Sequence, residues 1–215
     1  MKPMLPLLLT FCLATTAFPA ADTDGRWYVL FDGSSLEGWR SNAQIDGIFS
    51  VTDEGVLKVQ GGPAHLFWMG RGDIPARFEN FELSARVKTT PRANSGIFFH
   101  TEFQEKGWLA HGLEAQINST HWNKNRTGSL YGIKNITGES PSEDGPWFDY
   151  RIKVTGKEVS IHVDGERVNH YTEPTPPRPP RNRPHAKLGE GLIAIQGHDP
   201  FSTVYFKDIR VRPLP

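Results

Sequence analysis

Short segments in which apolar and polar residues alternate recur along the chain and predict β-strands. In residues 81–88 and 147–154 every second position is apolar, as in a strand with one buried face. Turn residues, among them Asp164 and Gly165, separate such segments every eight to twelve residues or so. No amphipathic helical pattern of useful length occurs. The chain is therefore predicted to be all-β, with about a dozen strands in two packed antiparallel sheets, a jelly-roll sandwich.

Three segments depart from simple alternation. Residues 61–78 contain Gly61, Gly62 and two prolines and are expected to be irregular. Residues 128–131 are expected to return into a strand after a polar loop. Residues 174–187 are rich in proline and arginine and cannot enter a sheet interior, so they predict an extended loop. That loop is interpreted as a connector over the rim of the sandwich rather than as a partner-docking segment.

The first residues predict an export signal. Residues 1–21 combine Lys2, an apolar stretch and a run of small residues, which is typical of a signal peptide. Residues 22–215 would then form a single β-sandwich domain, secreted or periplasmic. The only cysteine, Cys12, follows Phe11, where a lipoprotein signal needs a small residue. The exported chain would have neither a lipid anchor nor a disulfide.

Charge and hydropathy exclude some classes of partner. Lysine plus arginine and aspartate plus glutamate number 24 each, so the chain lacks the basic surplus that binds nucleic acid or anionic membranes. No segment approaches the roughly 20 apolar residues that span a bilayer. A neutral small-molecule partner is favoured, and the oligomeric state is left open.

The strongest functional pattern is a row of polar side chains on one predicted strand. In residues 112–118, alternation places Leu113, Ala115 and Ile117 on a core face. The opposite face then carries a carboxylate and two amides about 6 to 7 Å apart, from Glu114, Gln116 and Asn118. Such a row suits a polyhydroxylated ligand. The alternative is a solvated sheet face without a ligand. Because Glu114 alternates away from the core, Glu114→Gln is expected to behave as a surface change and to cost only about 0.5 kcal/mol of stability.

Neighbouring segments add further candidates near strand ends. They are His100 after an apolar strand, His121 and Tyr131 around a polar loop, and Gln196 and His198 where a buried strand becomes polar. Together with the polar row they favour a site over a plain surface. We find no GxGxxG, P-loop, HExxH or GxSxG motif.

Six segments together resemble a known family. They are VLFDGSSLEGW, FELSARVKT with ANSGIFFHTEFQEKGW, GLEAQIN, RTGSLYGI, WFDYRIKVTGKEVSIHVDG and IAIQGHDPFSTVYFKDIRVRPL. In this order they are similar to the domain of unknown function 1080, also called the 3-keto-disaccharide hydrolase domain. The resemblance implies a concanavalin A-like jelly roll, often exported in bacteria, that acts on sugars oxidised at C3. One departure is Arg86, where family members commonly carry an acid.

A 3-keto sugar needs fewer catalytic groups than an ordinary glycoside. Its ketone acidifies the proton at C2, so one base and one proton donor suffice. Glu114 and His198 are the candidates for these two roles, with the assignment between them left open. Gln116, Asn118 and Gln196 are expected to bind hydroxyls, with second choices His100, His121 and Tyr131.

Two questions stay open at this point. No cofactor is required, but a divalent metal could be held among Glu114 and the histidines, although these show no metal-ligand spacing: His100, His111, His121 and His198. The alternatives to an enzyme are a lectin-like carbohydrate-binding module and a structural envelope protein with a vestigial site.

Overall fold

The computed structural model describes residues 25–215, which form two antiparallel β-sheets and no α-helix. The predicted signal peptide, residues 1–21, lies outside the described residues. The strands are β1 (Tyr28–Phe31), β2 (Trp39–Ser41), β3 (Phe49–Val51), β4 (Leu57–Gln60), β5 (Ala64–Trp68), β6 (Phe81–Thr89), β7 (Ser95–Thr101), β8 (Leu113–Ile117), β9 (Phe148–Thr155), β10 (Glu158–Val163), β11 (Glu166–Thr172), β12 (Leu192–Gly197) and β13 (Thr203–Pro213).

The strands divide into a larger and a smaller sheet. The larger sheet has the order β11-β10-β9-β6-β13-β4-β3, and β1 also pairs with β13. The smaller sheet has the order β2-β5-β12-β7-β8. This confirms the predicted two-sheet jelly-roll sandwich. None of residues 25–215 belongs to a helix long and apolar enough to cross a membrane.

The core lies between the two sheets and follows the alternation of the sequence. On β9, every second residue from Phe148 to Val154 is buried and the residues between them are exposed. Strand β8 contributes its predicted core face, and Ile193 and Ile195 do the same from β12. The side chains at alternate positions of β8 and β12 must therefore lie on the outer face of the smaller sheet.

Two predictions from the breaker residues are wrong. The segment expected to be irregular, residues 61–78, contains β5, which pairs with both β2 and β12 inside the smaller sheet. All five residues of β5 are buried, so both faces are covered and the strand shows no alternation. The expected strand at residues 128–131 is a series of turns, in which Leu130 makes only isolated bridges to Ala115 and Lys134.

One side chain ties the two sheets together across the core. The hydroxyl of Tyr150, on β9, donates to the backbone carbonyl of Gln116, on β8, at 2.9 Å, and Tyr150 is fully buried. The same carbonyl also accepts the amide of Gly128. The bond therefore links the larger sheet to the strand that carries the polar row.

We expect Tyr150→Phe to lower the free energy of unfolding by about 0.5 to 1.5 kcal/mol, because a buried hydrogen bond is lost while its acceptor keeps one donor. Chemical denaturation measures this. The matched control is Tyr205→Phe on β13, where the side chain is partly exposed, and we expect almost no change there. Equal losses in the two variants would contradict the role given to the Tyr150 hydroxyl.

Candidate functional site

The outer face of the smaller sheet forms the floor of a cleft of about 610 Å³. Glu114 and Gln116 from β8, Phe98 from β7 and Gln196 from β12 line this floor. Their positions follow from strand pairing, because Phe98 faces Glu114 across the β7–β8 pair and Gly96 faces Gln116. Two members of the predicted polar row, Glu114 and Gln116, thus point into a concave site rather than onto an open sheet face.

Loops supply the walls of the cleft. One wall comes from residues 108–110, a second includes Tyr131, and a third comes from residues 182–185 of the proline-rich loop. The proline-rich segment is an extended loop, as predicted, but it is more than a rim connector. Its Arg183 donates to the carbonyls of Tyr131 and Gly112 at 3.1 and 3.4 Å, which fixes the guanidinium over the cleft.

The carboxyl group of Glu114 is enclosed by neighbouring elements. One carboxylate oxygen, Oε2, lies 4.0 Å from Nη1 of Arg183. A Cβ atom on residue 96 would come within 2.8 Å of the other oxygen, Oε1. The carboxyl group therefore occupies space that any side chain larger than that of glycine would need. The local sequence Asn94-Ser95-Gly96 therefore makes room for Glu114 as well as leading into β7.

Burial decides the protonation of Glu114. The residue is only 6% exposed, so the expectation that it behaves as a surface residue is wrong. Burial raises the pKa of Glu114 to about 7, against the opposing effects of the Arg183 charge and a hydrogen bond from the Gln196 side chain. A carboxyl group with such a pKa exists in both forms near neutral pH, which suits proton transfer.

A histidine and an aspartate form the second reactive feature. His198 lines the cleft, and its Nδ1 lies 2.9 Å from Oδ2 of Asp199. Asp199 also accepts from Ser202 Oγ at 2.6 Å and from the backbone amides of Phe201 and Ser202. Burial alone would raise the pKa of Asp199, but these hydrogen bonds hold that pKa below its ordinary value. An ionised Asp199 keeps the proton of His198 on Nδ1 and leaves Nε2 as an acceptor.

His121 completes a cluster with this pair but does not line the cleft. Its Nε2 lies 3.5 Å from Oδ2 of Asp199. His121, His198 and Asp199 each offer one atom that could bind a metal ion, and these three atoms lie within 4.8 Å of one another. However, the Asn123 amide donates to His121 Nδ1 at 3.1 Å. The proton of neutral His121 is then on Nε2 and points towards Asp199, which is the wrong tautomer for a metal ligand.

The amides of the polar row have different surroundings. Gln116 lines the cleft, but its Nε2 already donates to Asn94 Oδ1 and to the Ser95 carbonyl, so its Oε1 is left for a ligand. Asn118 is not among the residues that line the cleft. Its Nδ2 donates to the carbonyls of Asn123 and Asn125, and its Oδ1 accepts the His121 amide. Asn118 therefore holds the loop together.

Three other residues singled out from the sequence do not line the cleft. His100 has a positive φ of 55° and its ring nitrogens contact the Glu79 carbonyl and the Gly189 amide, so it secures a loop junction. His111 stacks on His185 with ring centroids 4.4 Å apart, and neither His100 nor His111 joins the possible metal-binding group. Arg86 pairs with Asp149 across β6 and β9 in the larger sheet, so the departure from the family pattern does not touch this site.

Sequence reasoning did not assign a role to Arg183 in the cleft or to Asp199 beside His198, and it gave too little weight to Trp108. Arg183 is one of several arginines in a proline-rich loop, and the composition of this loop does not distinguish Arg183 from the others. Asp199 directly follows His198, and a carboxylate next to a histidine at a strand end was an available signal. Trp108 is 54% exposed at the cleft wall, with its ring 5.2 Å from that of His198.

The raised pKa of Glu114 predicts a pH-dependent stability difference. Between the unfolded value of 4.5 and about 7, the folded state holds a proton that the unfolded state has lost, so stability falls as pH rises through this window. Relative to the wild type, Glu114→Gln should therefore gain up to about 3 kcal/mol between pH 4.5 and 8. Urea denaturation of both proteins across this range measures the gain, and a pH-independent difference would contradict the assigned pKa.

Comparison with known proteins places the chain in a family. Its solved structural neighbours include two proteins of Parabacteroides distasonis described as candidate glycosyl hydrolases. The first is 20% identical to this chain, with a TM-score of 0.70, and the match covers 88% of this chain and 94% of that protein. The second is 25% identical, with a TM-score of 0.69, and the match covers 88% of this chain and 100% of that protein. A Bacillus subtilis carbohydrate-binding module, CBM66, shares the fold at 13% identity and a TM-score of 0.55, over 81% and 95%. No protein of curated function matches the chain. The model of the 3-keto-alpha-glucoside-1,2-lyase-like domain matches residues 26–212, and the chain belongs to this family.

Proposed function

We propose that the protein is an exported enzyme that cleaves 3-keto-glycosides, including 3-keto-disaccharides, by elimination followed by hydration. The observation that carries this proposal is the pairing, in one cleft, of a single buried carboxyl group with a histidine oriented by an aspartate. Membership of the 3-keto-alpha-glucoside-1,2-lyase-like family supports the substrate class. The predicted signal peptide supports export.

The carboxylate inventory of the cleft argues against an ordinary glycosidase mechanism. Such enzymes place two carboxyl groups about 5 to 9.5 Å apart on either side of the scissile bond. Among the described residues that line the cleft, Glu114 is the one carboxylate. Asp199 is already engaged by His198 and Ser202. A substrate whose own ketone activates C2 needs only one base and one acid, which the cleft provides.

The reaction then proceeds in two steps. The base removes the C2 proton, the electron pair forms an enolate with the C3 ketone, and the C1–O bond breaks as the departing alcohol receives a proton. Water next adds to C1 of the resulting enone and a proton returns to C2. No oxidant or reductant is consumed, and the products are a 3-keto sugar and the free alcohol.

The environments of the two groups assign their roles. The His198 tautomer leaves Nε2 as an acceptor, so His198 is the base and Asp199 orients it. Burial favours the protonated form of Glu114, so Glu114 is the acid that protonates the departing alcohol. The positive charge of Arg183 can stabilise the negative charge of the enolate. Gln116, Gln196 and Tyr131 are left to bind hydroxyl groups.

A non-catalytic carbohydrate-binding module is the competing proposal. Exposed Trp108 favours it, because an aromatic side chain at the wall of a cleft can bind a sugar ring without chemistry. A buried carboxyl group whose pKa is raised to about 7 favours the enzyme over such a module, because perturbed pKa values cluster at catalytic sites. Incubation of the purified protein with 3-keto and unoxidised disaccharides separates the two proposals, because only an enzyme releases the free alcohol.

We expect Glu114→Gln to reduce turnover of a 3-keto-glycoside by about 10²- to 10⁴-fold, because the amide cannot donate the acid proton. In the wild type, kcat/KM should fall as pH rises through about 7, where Glu114 loses its proton. Glu166→Gln, at an exposed position of β11, is the matched control and should retain turnover. A profile that instead rises through pH 7 would make Glu114 the base.

We expect Asp199→Asn to lower kcat by about 10²-fold or more with little change in KM, because an amide donor would force the His198 proton onto Nε2. Ser202→Ala removes a different hydrogen bond of Asp199 and serves as the control that keeps the tautomer. If both variants lose kcat to a similar extent, Asp199 has a structural role and does not set the tautomer of His198.

The same assignment predicts that dialysis of the wild type against a chelator leaves turnover unchanged, because the tautomer of His121 does not suit a metal ligand. Activity that is lost on dialysis and restored by Mg²⁺ or Mn²⁺ would instead assign His121, His198 and Asp199 to a divalent cation.

A further inference from the structure

Lysine and arginine dominate the outer face of the larger sheet, on the opposite side of the sandwich from the cleft. Core residues alternate with outward ones on β4, β6, β9 and β13. The outward cations, which together form the basic face, are Lys58, Arg86, Lys88, Arg151, Lys153, Arg167, Lys207, Arg210 and Arg212. The outward acids are Glu82, Asp149, Glu158 and Asp208. The equal totals of 24 basic and 24 acidic residues therefore hide an uneven distribution of charge.

Most cations of the basic face are not neutralised by the protein itself. Glu82 forms ion pairs with Arg151 and Arg212, and Asp149 forms one with Arg86. No carboxylate among residues 25–215 forms an ion pair with the other cations of this face, which are Lys58, Lys88, Lys153, Arg167, Lys207 and Arg210. Their charges are balanced by ions from solution, which a polyanion would displace.

Aromatic rings orient several of these side chains. The ring centroid of Trp147 lies 5.2 Å from Nζ of Lys88 and 4.6 Å from Nζ of Lys207. Further along β13, Cζ of Arg210 lies 5.1 Å from the ring centroid of Trp27. A cation–π contact holds a long side chain in place without using its N–H donors. The basic face therefore presents ordered cations whose hydrogen-bonding groups remain available to a ligand.

The cations form an array, and their combined field acts on a neighbouring side chain. Outward residues on one strand are about 6 to 7 Å apart, and adjacent strands are about 4.8 Å apart. His162 on β10 faces Arg151 on one side and Arg167 on the other. Burial lowers the pKa of His162, and the charges of Arg151 and Arg167 lower that pKa further. An anionic group on this face would meet the same positive field.

We propose that the basic face binds an acidic polysaccharide with one carboxylate on each sugar residue, and so holds the protein on such a polymer while the cleft on the other sheet stays open. The spaced cations fit carboxylates that are separated by sugar rings. The proposal is independent of the reaction in the cleft, because it concerns the other sheet.

Two other polyanions fit the basic face less well. Double-stranded DNA carries one charge per about 1.7 Å of its axis, which is denser than the array of cations, and exposed Asp208 would repel it. A membrane-binding surface normally inserts apolar side chains between the lipids. Of the exposed large apolar side chains among residues 25–215, only Val29 lies on this face, where it pairs with Arg210.

Binding to polygalacturonate tests the proposal, and methyl-esterified polygalacturonate is the matched probe, because its sugar rings are the same but its carboxylates are neutral. In about 50 mM NaCl we expect the purified protein to bind the free acid at least about tenfold more tightly than the ester, as measured by biolayer interferometry. In about 500 mM NaCl this preference should disappear, because salt screens the charges of exposed side chains.

The double substitution Lys88→Gln with Lys207→Gln should weaken binding to the free acid by about tenfold, because it removes two cations from the centre of the array. The matched control is Lys124→Gln with Lys187→Gln, which removes the same charge from exposed positions in loops and should keep the affinity. Melting temperatures should be the same in both double variants, so that a loss of affinity does not reflect unfolding.

Three results would overturn the proposal. The first is equal affinity for the free acid and the ester, or no binding of either. The second is unchanged affinity in Lys88→Gln with Lys207→Gln. The third is tighter binding of double-stranded DNA, or of phosphatidylglycerol vesicles, than of polygalacturonate at the same concentration of negative charge. Failure of the proposed function gives a different result, because a protein that binds polygalacturonate but cleaves no 3-keto-glycoside keeps the polysaccharide surface and loses only the reaction.

Discussion

The alternation of β8 is the constraint on which the site depends. Leu113, Ala115 and Ile117 are held in the core between the two sheets, so Glu114 and Gln116 have no choice but to project from the other face. A shift of one residue in register would place the carboxyl group in the apolar core. The hydrogen bond from Tyr150 to the Gln116 carbonyl opposes such a shift. The packing of β8 in the core of the sandwich therefore also fixes the position of the Glu114 carboxyl group.

Enclosing Glu114 has a cost that its neighbours only partly offset. Burial disfavours the ionised carboxyl group, while Arg183 and Gln196 stabilise it, and the balance still raises the pKa to about 7. An open sheet face would have left the carboxyl ionised and unable to donate a proton at neutral pH. The loops that cover the outer face therefore change the protonation of Glu114 as well as shaping the cleft.

The sequence predicted the fold and the orientation of β8 because both depend on local alternation. It failed where a strand is buried on both faces, as in β5, since Gly61, Gly62 and Pro63 precede a run without a polar face. It could not distinguish Asn118 from Gln116, because equal spacing on a strand says nothing about which amide is used by a loop. Arg183 was beyond prediction, since its place depends on how a long loop folds back over the sheet.

The same architecture occurs in this family and in a carbohydrate-binding module. The fold therefore does not determine the chemistry, which must be argued from the groups on the outer face of the smaller sheet. Here that face presents one buried carboxyl group and a histidine whose tautomer is set by Asp199. A glycosidase that relies on carboxylates alone would need a second carboxyl group in the cleft, where this chain has His198. In the proposed reaction, an oriented imidazole in the place of that second carboxylate favours removal of a carbon-bound proton over direct displacement at C1.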